Sequence, residues 1–129
     1  MHVAVVGTRD FNNYHLMSNI LTNFIAPIEE NIIIVSGGAR GADSMAVTYA
    51  KIIGLDEPLV FPADWTRYGK AAGHMRNPDI VNAADVLFAF WDGKSTGTAD
   101  SIELAKNKGI PTCVIYYEKE GAPCIWYRK

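Results

Sequence analysis

Ile32-Ile33-Ile34-Val35-Ser36-Gly37-Gly38-Ala39-Arg40-Gly41-Ala42-Asp43 is the stretch on which the fold turns. Four consecutive β-branched residues read as a strand buried on both faces, and the serine and glycines behind them stop it. Immediately afterwards Ala42, Met45, Ala46, Tyr49, Ala50 and Ile53 recur at helical spacing, and Gly54 supplies a C-terminal cap. A doubly buried strand feeding a helix through a glycine-rich turn is half of a βαβ unit.

The chain repeats this pattern on either side. Val3 to Val6 is a short apolar strand closed by Gly7, and Leu16, Ile20, Leu21 and Phe24 stripe a helix over 14–25, with Pro27 behind it. Leu59-Val60-Phe61 is a strand stopped by Pro62. The polar stretch 63–77 reads as a loop running into a helix that reaches Ala83 or Ala84. Val86 to Trp91 is apolar throughout. Thr98 is placed to N-cap a helix that carries Lys106 and Lys108 in its last turn and Gly109 as its cap. Thr112 to Tyr117 is a fifth strand. The tail, 118–129, is ambiguous, with Cys124 to Tyr127 able to form a short edge strand. Strands alternating with helices predict one α/β domain over 1–129. It is doubly wound, with a mostly parallel five-stranded sheet and helices on both faces.

Composition bounds the function. The 129 residues are 49% hydrophobic and 20% charged, which excludes a disordered or fibrous chain. No apolar run is long enough to span a membrane, and Arg9 and Asp10 interrupt the N-terminus too early for a secretion signal. With Cys113 and Cys124 as its two cysteines, the chain is expected in a reducing cytoplasm without a disulfide framework. The net charge of −2 (12 Lys+Arg against 14 Asp+Glu) argues against nucleic acid as a partner.

Open α/β sheets bind ligands beyond the carboxyl ends of their strands. The four loops predicted there hold eight of the 11 glycines (Gly7, Gly37, Gly38, Gly41, Gly69, Gly73, Gly93, Gly97) and four of the five arginines (Arg9, Arg40, Arg67, Arg76). Glycine lets backbone N–H groups approach a ligand, helix N-termini present free donors, and arginine grips phosphate bidentately. Tight turns and solvated arginines alone predict no such bias between edges. The concentration predicts a phosphate or nucleotide cradle.

Better-known signatures fail. Gly7-Thr8-Arg9-Asp10 lacks the dinucleotide fingerprint, and the glycine a P-loop needs five places before Gly93-Lys94-Ser95 is Phe88. Gly93-Lys94-Ser95-Thr96-Gly97 spells a nucleophile elbow, but His2, His15 and His74 all precede Ser95, the wrong order for that triad. The histidines and cysteines show no metal-ligand spacing, so neither a metal nor a cofactor is expected.

Taken in order, G-T-R-D (7–10), S-G-G-A-R-G-A-D (36–43), F-P-A-D-W (61–65), Y-G-K-A-A-G-H-M-R-N (68–77) and S-T-G-T-A-D (95–100) resemble the YspA-type, cpYpsA-related branch of the SLOG superfamily, over about residues 1 to 116. The resemblance implies a Rossmann-like domain that binds nucleotides or their derivatives. Within that superfamily LOG proteins release a base from a nucleoside monophosphate, and DprA binds single-stranded DNA. Gly37, Gly38, Arg40, Gly41 and Asp43 match its glycine-rich loop, Arg76 and Asn77 an R-N pair shared with DprA, and Gly97 and Thr98 the G-T of the LOG phosphate motif. The chain departs at Ser101, where LOG enzymes carry their catalytic Glu. It departs also at Lys94-Ser95-Thr96, which replaces a double glycine, and at His74, where many branch members have Pro.

The expected ligand is a nucleotide-type small molecule. Gly7, Thr8, Ser36, Gly37, Gly38, Gly41, Ser95, Gly97 and Thr98 are expected around its phosphate, with charge from Arg9, Arg40 and Arg76 and further polar contact from Asn77. Arg9 and Arg40 can instead pair with Asp10 or Asp43. Asp43, Asp64 and Trp65 are assigned to ribose and base. Trp65 otherwise edges the core, and Asp43 otherwise serves the helix dipole. If a glycosidic bond is cleaved, Asp43, Asp64 and Glu103 are the candidate catalytic carboxylates. The apolar Ile125-Trp126-Tyr127 predicts a homodimer or larger homo-oligomer, unless this tail packs on its own sheet.

Overall fold

The computed structural model describes residues 1–128. Strands β1 (His2–Gly7), β2 (Ile33–Ser36), β3 (Leu59–Val60), β4 (Val86–Trp91), β5 (Thr112–Tyr116) and β6 (Cys124–Tyr127) form one sheet in the order β3-β2-β1-β4-β5-β6. The first five run parallel; β6 lies antiparallel to β5, with Cys113 opposite Trp126. The helices are α1 (Tyr14–Ile25), α2 (Ala42–Ile52), α3 (Trp65–Tyr68), α4 (Ala72–Ala83) and α5 (Thr96–Lys108).

Side chains alternate across the sheet, so the inner strands β1, β2, β4 and β5 each feed two cores. Val3, Val5, Ile34, Phe88 and Phe90 pack with Met17, Leu21, Ala46 and Tyr49 of α1 and α2. Ala4, Val6, Val35, Leu87 and Ala89 pack with Ile80, Val81, Ile102 and Ala105 of α4 and α5. Neither core is complete without both layers, which is the doubly wound, Rossmann-like arrangement. On α1 the buried line is Met17, Leu21 and Ile25, flanked by the expected Leu16, Ile20 and Phe24.

Two boundaries differ from the sequence reading. The stretch expected to start as a loop is helical almost from its beginning: α3 and a 3-10 turn (Gly69–Ala71) lead into α4, which carries Arg76, as expected, and Asn77, with Pro78 inside it. Helix α5 starts at Thr96, because the Asp92 carboxylate accepts the N–H groups of both Lys94 and Ser95 (2.8 Å each) and turns the chain early. Ser95 is therefore the N-cap, and Thr98 lies in the first turn.

The tail folds onto its own sheet. Trp126 packs edge-on to Phe88 (5.4 Å between ring centroids) and against Phe24 (5.9 Å), leaving Ile125 as the exposed apolar side chain of β6. The apolar tail thus gives no argument for self-association. Among the described residues no helix is long and apolar enough to cross a membrane, and no group of His, Cys, Asp or Glu side chains is placed to hold a metal ion.

Candidate functional site

Strand order reverses between β1 and β4, and there a cleft of about 500 Å³ opens at their carboxyl ends. One wall is the turn after β1. Thr8 is nearly buried; its backbone N–H donates to Phe90 O (3.0 Å), and its Oγ1 accepts the Asp92 N–H (3.1 Å), tying the β1 and β4 loops together. Gly7 is forced by packing. A Cβ there would stand 2.6 Å from Ala42 Cβ and collide with the Phe90 carbonyl.

The floor is the first turn of α5. Ser95, Thr96, Gly97, Thr98 and Ser101 line the cleft there, and the first-turn N–H groups of a helix have no intrahelical acceptor. Nothing stands within 4 Å of the space a Gly97 Cβ would fill. Thr98 Oγ1 donates to Ser95 Oγ (3.3 Å). Ser101, 2% exposed, lines the cleft beside them.

The far wall is α4. Arg76 Nη1 donates to Gly37 O (2.8 Å) and Phe61 O (3.1 Å), and its Nε to Asn77 Oδ1 (3.2 Å). Asn77 in turn donates to Gly97 O (3.3 Å) and Asp100 Oδ2 (3.0 Å), and the same Asp100 oxygen meets His74 Nδ1 at 3.3 Å. This chain of contacts fixes α4 to α5 and to the end of β2. Asp43 faces it from the first turn of α2, 5% exposed. Burial pushes its carboxyl up to about 6 against the opposing pull of Arg76, the Ala39 and Gly37 backbone and Arg9. Burial likewise lowers the Arg76 guanidinium, with Asp43 raising it. Desolvation outweighs attraction on both partners.

At the mouth, the Arg9 guanidinium lies 5.1 Å over the half-exposed Trp65 ring, and neither Arg9 nor Arg40 forms an ion pair among the described residues. The pairing with Asp10 or Asp43 that the sequence allowed is not made. Four cations (Arg9, Arg40, Lys70, Arg76) line the cleft against two carboxylates, Asp10 and Asp43.

Of the residues singled out from sequence, Gly7, Thr8, Arg9, Arg40, Asp43, Trp65, Arg76, Asn77, Ser95, Gly97 and Thr98 line this cleft. Six do not. Ser36 is buried, with its hydroxyl on Asp43 O (2.9 Å), and Gly37 leaves room for Arg76. Gly38 and Gly41 sit at positive φ (71° and 81°), where they shape the loop. Asp64 caps α3 by accepting the Arg67 N–H (3.0 Å), and Glu103 is exposed on α5. Asp10, Lys70, His74 and Ser101 line the cleft without having been chosen. Ser101, named from sequence only as a departure from the LOG catalytic Glu, could have been added: three residues after Thr98, it shares that residue's helix face.

A doubly wound domain with a polar, cationic cleft at its switch point defines a class of ligand-binding α/β proteins. Within that class, a family model described as "YspA, cpYpsA-related SLOG family" matches residues 1–68. The Gene 61 protein of Mycobacterium phage D29 is 35% identical over 114 residues, covering 84% of this chain and 91% of that protein. The protein belongs to the YspA, cpYpsA-related SLOG family. Among solved structures, DNA processing protein A from Helicobacter pylori, described for its single-stranded DNA binding mode, matches with a TM-score of 0.59 and 24% identity. That match covers 88% of this chain and 64% of the other, and at this identity it speaks for the fold.

One expectation is overturned here. Net charge does not exclude nucleic acid from this fold, since a protein sharing it is described for binding single-stranded DNA. The physical reason is that a total averages the whole surface, whereas a ligand meets the local field. In this chain a total of −2 coexists with four cations around one cleft.

Proposed function

We propose that this protein binds a nucleotide or nucleotide derivative in the cleft between β1 and β4. The carrying observation is the free donors of the α5 first turn at the floor of the cleft, with the Ser95, Thr98 and Ser101 side chains beside them, beneath a rim of four cations. The phosphate sits on the Gly97 and Thr98 N–H groups, with Ser95, Thr98 and Ser101 hydroxyls around it. Arg76 supplies charge from α4. Asp43 accepts from the ribose hydroxyls, and the base rests on Trp65 in place of Arg9. The neighbour's single-stranded DNA is made of the same units, so a strand is a ligand of the same chemistry. Calorimetric titration with nucleoside, nucleoside 5′-monophosphate and inorganic phosphate tests the reading. The monophosphate should bind in the micromolar range and the nucleoside at least tenfold more weakly, about 1.4 kcal/mol. Absence of binding by all three would sink it.

A second reading is supported by Asp43, whose carboxyl is pushed up to about 6 inside the cleft, near the range a general base uses. On this reading the protein hydrolyses an N-glycosidic bond. Asp43 takes a proton from water as the oxygen attacks C1′, and the base leaves with the electron pair of the broken bond. Asp64 and Glu103 point elsewhere, so the reaction would rest on Asp43. Chromatography for released base after incubation with nucleoside monophosphates separates hydrolysis from binding. Binding without release eliminates it.

A further inference from the structure

The cleft does not end at its rim. A second groove of about 390 Å³ lies between the N-terminal turns of α1 and α2, lined by Asn12, Tyr14, Ser44 and Thr48 among others. It shares Arg9, Asp10 and Arg40 with the cleft, so these three residues form the junction between two cavities. Both arginines there are exposed and free of ion pairs among the described residues. Each cavity also contributes one aromatic side chain with accessible surface, Trp65 on one side of the junction and Tyr14 on the other.

Two nucleoside-sized spaces, an aromatic in each and two unpaired guanidinium groups between them, match one kind of molecule. Resting on the nucleotide reading above, we propose that the natural ligand consists of two nucleoside units joined through phosphate. The first unit occupies the cleft, Arg9 and Arg40 hold the linking phosphate, and the second unit lies in the α1–α2 groove. A single nucleotide fills the cleft and leaves both junction arginines and the groove idle. Guanidinium groups suit a bridging phosphate because they bind two oxygens at once. The groove side is polar, with Ser44 Oγ on Gly41 O (3.2 Å) and Thr48 Oγ1 on Ser44 O (3.2 Å), so a sugar hydroxyl meets hydrogen-bonding groups there.

The linking phosphate has two sources: the diphosphate of a soluble dinucleotide or the phosphodiester of a strand end. Calorimetric titration of the full chain with AMP, NAD and 5′-phosphorylated d(AA) distinguishes them. At least one two-unit ligand should bind about tenfold or more tighter than AMP. A preference for NAD assigns the diphosphate, and a preference for the dinucleotide assigns the strand. Thr48→Tyr, which fills the groove from an exposed position on α2, should remove the advantage while AMP affinity changes less than about twofold. Arg40→Ala should weaken the two-unit ligand more than AMP. AMP binding as tightly as both larger ligands, or a Thr48→Tyr variant that retains the full advantage, overturns the two-unit ligand and leaves the nucleotide reading intact. Absence of binding by all three removes both.

Discussion

Asp43 and Arg76 meet across the Cα of Gly37 without forming an ion pair. Each is close enough to shift the other's ionisation, yet burial dominates both, holding Asp43 near 6 instead of its ordinary 3.8. Ionising Asp43 in the folded protein is therefore costly, by up to about 3 kcal/mol for a shift of this size. The native pKa lies above the unfolded one. The contribution to stability is fully present below about pH 3.8 and is lost as the pH rises through about 6. Asp43→Asn should flatten the stability profile across that window, as followed by thermal melting at pH 4, 5, 6 and 7. An unchanged slope in the variant would show that the carboxyl titrates normally. Ligand binding adds a second sign: an anionic ligand in the same cleft prefers Asp43 neutral, so affinity should rise as pH falls from 7 to 6.

Gly37 is the hinge of this arrangement for a steric reason. Its φ is not in the left-handed region, so alanine suits the backbone, but the added methyl would occupy the space of the Arg76 guanidinium. Arginine's end can swing away, at the loss of its bonds to Gly37 O and Phe61 O. Gly37→Ala should therefore fold, lose on the order of 1–3 kcal/mol through unsatisfied carbonyls, and weaken nucleotide binding much as Arg76→Ala does. Arg76 is thus a structural tie as well as a cleft residue, and its removal costs stability too. Denaturant melts and titrations of both single variants and the double should give strongly non-additive losses. Additive effects would mean that Gly37 acts independently of Arg76.

The inner strands β1, β2, β4 and β5 were legible because burial on both faces leaves continuous apolar runs, and this placed the switch point and therefore the cleft. What escaped was how α4 begins. The segment from Trp65 to Asn77 is polar, contains two glycines and precedes Pro78, so it reads as loop. Its helix forms through tertiary bonds invisible to local pattern, chiefly Arg76 to the β2 and β3 ends and Asn77 to α5. Glycine position was legible, but its use was not. Gly97 opens on the cleft, whereas Gly7 and Gly37 make room for neighbours that only the folded chain reveals.

That difference predicts opposite phenotypes for one chemical change. Gly7→Ala drives a methyl into the Phe90 carbonyl and Ala42, both fixed by packing, and should cost about 2–4 kcal/mol or prevent folding. Gly97→Ala meets nothing within 4 Å and replaces glycine in a helix, so stability should hold or rise by up to about 1 kcal/mol. Its methyl nevertheless stands where the phosphate is proposed to rest, and monophosphate affinity should drop about tenfold or more. A stable Gly97→Ala protein with undiminished affinity would move the phosphate off the α5 first turn.

Trp65 provides a direct optical report on the cleft. Of the three tryptophans it alone lines the cavity; Trp91 is fixed by its indole N–H on Ser95 O (3.0 Å), and Trp126 lies in the Phe24–Phe88 cluster. In the free protein its ring carries the Arg9 guanidinium at 5.1 Å. A base that takes the place of Arg9 replaces a cation–π contact with a stacked ring, and emission from Trp65 should fall on saturation with nucleotide. Trp65→Phe should abolish most of the fluorescence change while retaining measurable binding, because a phenyl ring still offers a face. Trp65→Ala should weaken binding by about 1 to 2 kcal/mol, within the range of base–aromatic stacking. Arg9→Ala isolates the cation: if Arg9 occupies the base position in the free protein, its removal should raise the affinity for nucleoside while lowering that for a ligand whose linking phosphate it holds. A fluorescence change that survives in Trp65→Phe would place the base elsewhere in the cleft.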